Sequence, residues 1–470
     1  MICRDRGQFF NDGNDAYLFL NEEKILIHTD IGNHDLMRLL HRYGINRSEN
    51  LYRFISASIH VEAFDKGKVT EIYRLSHYNT ETFTLYLFNN KNEIYRISPE
   101  KMDLIPNGSD GVLFVKAGNA EPFELVSVKE GEFILDRLVI SGINFESDEL
   151  SPDNKKILFV LWLLALFFQS IFPTKPIIAL LGGHGAGKTS IARIILWIIL
   201  GMTADVTSLR KPDDFDTAVG NSPLVVFDNV DEEKEWLNDK LAVAATGGAI
   251  RKRKLYTDNE EVAIPIKSFL GITSRDPHFK REDVSERLLI MRLGRRTRFE
   301  AESKLRDQIT RNRNELLSEI MSYLQDITKA LRDFKDTDTT GSFRMADFYD
   351  FCLKIAMQCD IEDELKAIFK KLTQEQSHLS LEDDPIFQVL KVWVCEKPDL
   401  EVDAAKLLNE LTRCAERKKM EFNNMVPSTI GKWIMQHKPN LEMFFVMSER
   451  TGRARQKFYR FKLLEECREQ

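Results

Sequence analysis

The chain has 470 residues, of which 43% are hydrophobic and 30% are charged, and its formal net charge is −7 at pH 7. A chain of this length is expected to form roughly three or four domains of about 100–200 residues each. The acidic balance excludes a protein that coats nucleic acid along its whole surface, so nucleic-acid contacts must come from local basic clusters. The six scattered cysteines form no CxxC pair, which favours free thiols in the cytoplasm and argues against a structural zinc site.

Residues 1–145 are predicted to form a β-rich domain. Short apolar runs such as AYLFL and TFTLYLFNN are separated by Asn, Gly and Asp turns, the pattern of strands joined by tight connections. One helix is expected at Asp35–Tyr43. The histidines of this region have no metal-ligand spacing, so we expect them in the core or on the surface.

The segment Ile157–Phe172 is almost wholly apolar. It is shorter than the ~20 residues that a membrane span needs, and it ends in Gln169 and Ser170 before two prolines. We therefore expect a helix buried against the core, and no membrane contact.

Between about 150 and 298, strands alternate with helices, which predicts a parallel sheet flanked by helices. In this region GGHGAGKT fits the pattern GxxxxGK[ST] in full, between an apolar strand and a helix. Glycines let backbone N–H groups face phosphates, Lys188 adds a positive charge, and the helix N-terminus adds its dipole. The sequence thus predicts an ATP site, whose expected contacts are Gly182, Gly183, His184, Gly185, Ala186, Gly187, Lys188, Thr189 and Ser190.

An acidic residue after the next apolar strand completes the predicted magnesium site. In PLVVFDN, Asp228 is the expected carboxylate beside the Thr189 hydroxyl, and both are predicted Mg²⁺ ligands. Asn229 follows, at the place where many such ATPases carry a glutamate that activates water. Either Asp231 or Glu232 replaces that acid, or hydrolysis is weak and the protein acts as a switch.

Two further elements are predicted to take part in catalysis. The strand in KSFLGITSRDP ends in Thr273 and Ser274, and we favour Ser274, with Thr273 second, for orienting the attacking water. Arg287 precedes the apolar run LLIMRL, where ring ATPases carry an arginine that stabilises transition-state charge on a neighbour's nucleotide. An ordinary strand end and a surface salt bridge are the alternatives for these residues.

A basic run follows the turn at Gly247–Gly248. Its position between two nucleotide motifs, with Tyr256 beside it, favours contact with the backbone and bases of DNA at the pore of a ring. A solvated charged loop is the alternative. The four cations are Arg251, Lys252, Arg253 and Lys254.

Residues 299–380 are predicted to form a helical lid and linker, and residues 385–470 a winged helix. The lid includes the amphipathic segment RMADFYDFCLKIAM, and QEQSHLSLEDD is the expected linker. The last region predicts helices, one of them beginning at Pro427, and then two strands around Thr451–Gly452. Its positive charge favours phosphate contacts from the wing, with protein contacts as the alternative. The expected wing cations are Arg450, Arg453, Arg455 and Lys457.

These motifs, in this order, resemble the AAA+ class of ATPases and, within it, the superfamily 3 helicases of viruses and mobile elements. The likeness rests on GGHGAGKT, VVFDN, ATGGAIRKRKLYT, GITSRDP and SERLLIMRL, while LYTDNEE and RMADF bring the chain closer to phage and prophage ATP-binding proteins. The resemblance implies an α/β AAA+ core whose basic hairpin grips single-stranded DNA in the pore of a hexamer. Asn229 departs from the acidic pair of most such helicases, so we do not assume processive unwinding.

The first hypothesis from the sequence is an ATP- and Mg²⁺-dependent, helicase-like motor that acts on phage or mobile-element DNA as a homo-oligomer, expected to be a hexamer. The second is a nucleotide-gated DNA-binding switch or loader without unwinding, for which Asn229 is the best support. The third is a defence or signalling ATPase with a protein target.

Overall fold

The structure is a computed structural model. It describes residues 6–118, 120–129, 131–232, 234–253, 261–275, 279, 281–341, 343–382, 384–422, 425–452 and 457–464, and for 251–253, 261, 262, 264 and 265 it describes the backbone alone. The described residues form an N-terminal region of small sheets, a parallel five-stranded sheet, a group of long helices and a C-terminal unit of helices and strands.

The N-terminal region contains ten short strands and the predicted helix. The strands are β1 (Gly7–Asn11), β2 (Ala16–Leu20), β3 (Ile25–His28), β4 (Lys68–Val69), β5 (Ile72–Tyr73), β6 (Ser76–Asn79), β7 (Thr84–Phe88), β8 (Glu93–Ile97), β9 (Met102–Pro106) and β10 (Leu113–Phe114). They form sheets in the orders β3-β2-β1-β4, β6-β7-β8-β9 and β10-β5. The helix α1 (His34–Arg42) begins after Asn33, whose side chain accepts hydrogen bonds from two backbone N–H groups.

A second N-terminal helix, α2 (Asn50–Lys66), is missing from the sequence prediction, which expected one helix in this region. Its inner face buries Tyr52 and Ile59, while Phe54 and Val61 on the other face stay exposed. Because apolar residues lie on both faces, the sequence lacks the one-sided periodicity by which an amphipathic helix is recognised.

The apolar segment before the phosphate loop forms a core helix. After the short α3 (Ile134–Leu138), α4 (Pro152–Ala165) continues as a 3₁₀ turn to Ile171. Trp162 on α4 is fully buried, and its indole donates to the Pro176 carbonyl at 3.1 Å. Among the helices that the structure describes, only this one is long and apolar enough to cross a membrane, and 61% of its most apolar window is buried inside the protein.

Five parallel strands form the central sheet, which confirms the predicted parallel sheet flanked by helices. The strands are β11 (Ile177–Leu181), β12 (Thr207–Ser208), β13 (Leu224–Asp228), β16 (Phe269–Ser274) and β17 (Leu288–Arg292), in the order β12-β13-β16-β11-β17. The helices between them are α5 (Lys188–Ile199), α6 (Pro212–Asn221), α7 (Glu235–Ala245) and α8 (Glu282–Ser285). Since all five strands run the same way, the polar residues at their carboxyl ends meet at one edge of the sheet.

The helical region consists of α9 (Glu302–Asp333), α10 (Ala346–Gln358) and α11 (Glu362–Leu381). The predicted polar linker is wrong over most of its length, because QEQSHLSL forms the last turns of α11. These residues are buried against β17, where the Gln376 amide donates to the Leu288 carbonyl at 2.8 Å and Arg292 Nε donates to Glu375 Oε1 at 2.7 Å. The segment is polar in composition, as loops are, although its side chains are buried with specific partners. Its composition therefore does not indicate a helix.

The pair of Arg292 and Glu375 gives a first testable prediction. The Glu375 carboxylate is 2% exposed, and burial raises its pKa although Arg292 lowers it. An Arg292→Met variant leaves a buried, unpaired carboxylate, and we expect a loss of about 3 kcal/mol in the free energy of unfolding. Without Arg292, the pKa of Glu375 in the folded variant should lie further above its value in the unfolded chain than it does in the wild-type protein. As the pH falls toward that pKa, the buried carboxylate takes up a proton and becomes neutral, so the loss of stability should shrink. Urea unfolding at two pH values measures both effects.

The double variant Arg292→Met/Glu375→Leu is the control for this prediction. It removes both charges of this pair, so Glu375 no longer places an unpaired carboxylate in the interior, and the double variant should be more stable than the single variant. A single variant as stable as the wild-type protein, or a loss that does not change with pH, would contradict the assignment.

The C-terminal unit contains the predicted helices followed by the two predicted strands, and it also has a two-residue strand and a four-residue helix that the sequence does not predict. Its helices are α12 (Pro385–Glu396), α13 (Ala404–Lys418), α14 (Pro427–Gln436) and α15 (Lys438–Leu441), and its strands are β18 (Val402–Asp403), β19 (Phe445–Thr451) and β20 (Lys457–Leu463). The three strands form one antiparallel sheet in the order β18-β20-β19. The identification of this unit as a DNA-binding winged helix stays a prediction.

Candidate nucleotide site

The phosphate-loop sequence connects β11 to α5 at the carboxyl edge of the sheet. Gly187 is the residue before α5 and has a φ of 84°, a conformation that glycine adopts at little cost. The Lys188 ammonium is nearly buried, and it donates to the carbonyls of Gly182 and Gly183 across the loop. Burial lowers the pKa of Lys188. The ammonium therefore lies inside the curve of the loop, where the sequence predicts the phosphates.

The two predicted Mg²⁺ ligands lie against each other. Thr189 Oγ1 donates to Asp228 Oδ1 at 2.9 Å, and Thr273 Oγ1 donates to the same oxygen. Among the described residues, no group of three or more His, Cys, Asp or Glu side chains forms a metal site. One hydroxyl and one carboxylate are nevertheless the donor set that Mg²⁺ uses when waters and phosphate oxygens complete its shell. The residues present thus fit a magnesium–nucleotide complex.

Asn229 follows Asp228 at a turn of the backbone. Its φ is 54°, and its N–H donates to Thr273 Oγ1 at 3.1 Å. Asparagine tolerates this left-handed conformation better than most residues with a side chain. The turn therefore gives a backbone reason for asparagine where many such ATPases have glutamate.

Thr273 and Ser274 take different places at the end of β16. Thr273 contacts Asp228, as described, whereas the Ser274 hydroxyl donates to the Val230 carbonyl at 2.8 Å and to Asp231 Oδ1 at 3.2 Å. Of the two candidates for orienting water, the second choice from sequence, Thr273, lies on the predicted metal ligand. Ser274, the first choice, instead helps to hold Asp231.

Asp231 belongs to a network that reaches the phosphate loop. Its carboxylate accepts from the Arg275 backbone N–H and from Arg275 Nε, both at 2.6 Å. Burial alone would raise the pKa of Asp231, but the hydrogen bonds from Arg275 and Ser274 hold that pKa below its usual value. Nη1 of the Arg275 guanidinium lies 2.9 Å from His184 Nε2. Since arginine only donates, this nitrogen accepts, and the imidazole proton lies on Nδ1.

This network bears on the two acids that could replace a missing glutamate. The Asp231 carboxylate is engaged by three donors, so it positions Arg275 and Ser274. The Glu232 side chain is 85% exposed. Neither acid therefore has the arrangement of a general base held over the loop. Arg275 is not among the site residues predicted from the sequence, although it directly follows the strand end where polar site residues are expected.

Arg287 lies at the amino ends of the strands, and the phosphate loop lies at their carboxyl ends. In the parallel register, β17 begins at Leu288 beside Ile177, and it ends beside Leu181, which precedes the loop. Arg287 is 9% exposed, and its pKa is lowered by burial and by the nearby Arg344. The five-residue strand spans about 16 Å, so Arg287 is too far away to reach the loop of its own chain.

The basic run lies on an antiparallel hairpin formed by β14 (Ala249–Arg253) and β15 (Glu261–Pro265). Gly247 turns the chain into it with a φ of 65°, and a Cβ there would lie 2.5 Å from the Pro173 carbonyl oxygen. The predicted DNA contacts Arg251, Lys252 and Arg253 are on β14, where the backbone alone is described. Lys254 and Tyr256 lie outside the described residues.

The predicted wing contacts are described in part. Arg453 and Arg455 lie outside the described residues. Lys457 Nζ lies 2.5 Å from Glu449 Oε1, and Arg450 lies 2.9 Å from Glu401 Oε2. The two described cations are therefore paired with carboxylates of the same unit, which weakens their attraction for DNA phosphates.

Several solved structures align with this chain at low sequence identity. Among solved structures, the A form apo structure of the NrS-1 C-terminal region aligns over 98% of this chain and 98% of that chain, with 13% identity and a TM-score of 0.42. The X-ray structure of JCV helicase aligns over 48% of this chain and 60% of that chain, with 12% identity and a TM-score of 0.23. A search of curated proteins finds no significant match.

The family model described as actinomycete integrative conjugative element replication protein matches residues 139–374. This range is half of the chain, and it contains the phosphate loop, Asp228, the basic hairpin and Arg287. The chain therefore belongs to the family of actinomycete integrative conjugative element replication proteins.

Proposed function

We propose that this replication protein is an ATP-hydrolysing AAA+ motor that binds DNA and works as a ring oligomer, expected to be a hexamer, on the DNA of a conjugative element. The observation that carries the proposal is the meeting of Lys188, Thr189 and Asp228 at the carboxyl edge of a parallel sheet. An ammonium inside a glycine loop, beside a hydroxyl and a carboxylate in contact, is the arrangement that binds a nucleoside triphosphate with Mg²⁺.

Each residue has a defined part in the proposed reaction. Lys188 and the loop N–H groups bind the phosphates, and Thr189 and Asp228 hold Mg²⁺, which neutralises phosphate charge when bound. Thr273 fixes the Asp228 carboxylate and the turn at Asn229. Arg287 acts on the nucleotide of the neighbouring subunit. Because Asp231 is engaged by three donors and Glu232 is exposed, neither is arranged as a base over the loop, and we propose slow hydrolysis in the single chain.

The basic hairpin is the proposed contact with single-stranded DNA. It lies in the chain between β13 and β16, the strands that carry Asp228 and Thr273. A change in nucleotide state at these two residues can therefore be transmitted to both ends of the hairpin. Its cations would neutralise DNA phosphates without reading sequence, which suits a motor that moves along a strand.

The test is the rate of ATP hydrolysis with and without single-stranded DNA. We expect single-stranded DNA to stimulate ATP hydrolysis by the wild-type chain. A Lys252→Ala/Lys254→Ala variant should bind DNA about tenfold more weakly at low salt, and the salt dependence of its binding should fall by the equivalent of about two phosphate contacts. The control is Lys370→Ala/Lys371→Ala, which removes two charges from exposed positions on α11. No stimulation, together with unchanged DNA binding in the hairpin variant, would contradict the motor.

A second candidate function is a nucleotide-gated switch or loader that binds DNA without unwinding it. Asn229 favours this reading, because its side chain is amide rather than acid and its neighbours Asp231 and Glu232 are poorly arranged as a base. Slow hydrolysis that DNA does not stimulate, with ATP-dependent assembly of the chain, would support the switch over the motor.

A further inference from the structure

Residues 294–299, which we call the strap, connect β17 to α9 and lie against the phosphate loop. The Arg296 backbone N–H donates to the Gly185 carbonyl at 3.1 Å. On the other side, the Asn144 amide donates to the Arg295 carbonyl at 3.1 Å. One backbone hydrogen bond therefore holds the strap against the loop, and the Asn144 side chain holds it from the other side. The strap has no part in the reaction proposed above for Lys188.

The Arg296 side chain lies over the last glycine of the loop. A Cβ on Gly187 would lie 2.4 Å from Arg296 Nε, so the guanidinium can approach this closely only because the residue is glycine. Nε is buried and has no hydrogen-bond partner among the described residues, and burial lowers the pKa of Arg296 against the raising effect of Glu300. A buried donor without an acceptor is costly, and a phosphate oxygen is the acceptor that a guanidinium suits best.

Phe299 supplies an aromatic surface at the same loop. Its ring lies 3.3 Å from the Cβ position of Gly185, and the side chain is 68% exposed. The ring therefore adds little to the hydrophobic core. Aromatic faces of this kind stack on nucleobases whatever the base sequence, because every base has a π-face.

We propose that the strap forms the nucleoside side of the ATP site, with Phe299 stacked on the base and Arg296 bound to a phosphate oxygen. The ligand class is a nucleoside triphosphate, and the inference rests on the proposed nucleotide site at Lys188. It extends that site to the base, which the GxxxxGK[ST] pattern does not contact. The strap precedes α9, the next helix in the chain.

The test of the base contact is calorimetric titration of the full chain with ATP and with inorganic tripolyphosphate, which has no base. A Phe299→Ala variant should bind ATP about tenfold more weakly and bind tripolyphosphate as the wild-type chain does. The control is Phe54→Ala, which removes a phenylalanine that is 70% exposed on α2. Equal ATP affinity in wild type and Phe299→Ala, or an equal loss for both ligands, would overturn the stacking role.

The phosphate contact is tested with Arg296→Gln. It should bind ATP and tripolyphosphate more weakly by a similar factor, about tenfold, whereas Arg298→Gln, at an exposed position in the same strap, should change neither. Unchanged tripolyphosphate affinity in Arg296→Gln would overturn this contact. If ATP binding to the wild-type chain does not depend on Lys188, the proposed function fails. That result is distinct from a failure of the strap contacts alone.

Discussion

A Lys188→Ala variant is expected to hydrolyse ATP about a hundredfold more slowly than the wild-type chain, or not measurably. The ammonium lies inside the loop on the carbonyls of Gly182 and Gly183. It is the one cation of the GxxxxGK[ST] pattern. Without it, the negative charge that develops on the transferred phosphoryl group loses the nearest positive charge of the loop. Release of phosphate at saturating ATP and Mg²⁺ measures the effect.

The same variant should keep its stability, and this separates a functional loss from misfolding. Burial lowers the pKa of Lys188, which means that the folded chain holds this ammonium at a cost. Its removal is therefore expected to leave the free energy of unfolding unchanged or to increase it. Lys304→Ala, at an exposed position on α9, is the control for the loss of a lysine. Wild-type hydrolysis by Lys188→Ala would refute the assignment of the loop.

The parts of the site that were predictable from sequence are those fixed by local chain geometry. A strand, a glycine loop and a helix in succession define the position of Lys188, and the carboxyl end of a buried strand defines that of Asp228. Both predictions depend on residues that are close in the chain. The magnesium role of Asp228 stays a prediction, but its contact with Thr189 is the geometry that this role requires.

The parts that were not predictable depend on contacts between distant segments. Neighbouring residues of a strand point to opposite faces, but the sequence does not tell which of Thr273 and Ser274 faces Asp228. The structure shows that it is Thr273, and the residue that orients water stays a prediction. Arg296 becomes a candidate only when the strap is seen to lie over Gly187. The polar end of α11 has the composition of a linker, and its partners on β17 are more than 80 residues away in the chain, so the sequence alone does not indicate that it is buried.

Two arginines connect the candidate site to its surroundings. Arg275 joins Asp231 to His184 of the loop, and Arg292 at the end of β17 joins the sheet to Glu375 of α11. One guanidinium thus joins the loop to the segment after β13, and another joins the sheet to the helical region.

Arg287→Ala is expected to lower ATP hydrolysis by about a thousandfold through loss of the contribution in trans. Arg287 lies at the edge of the sheet away from its own loop, and its Nη1 is buried without a hydrogen-bond partner among the described residues. Arg344 lies nearby and pairs with Glu286, so the region carries a cation that is not neutralised by that pair. Because Arg287 does not reach the loop of its own chain, the nucleotide on which we propose that it acts is that of a neighbouring subunit.

Mixing two inactive variants tests this arrangement directly. Lys188→Ala supplies an intact Arg287, and Arg287→Ala supplies an intact loop, so an equal mixture should regain about a quarter of the wild-type rate in a ring of head-to-tail interfaces. A mixture of Lys188→Ala with Asp228→Asn is the control, because both changes damage the same side of the interface, and it should stay inactive. If the first mixture is as inactive as the control, or if Arg287→Ala alone hydrolyses ATP normally, Arg287 does not act between subunits.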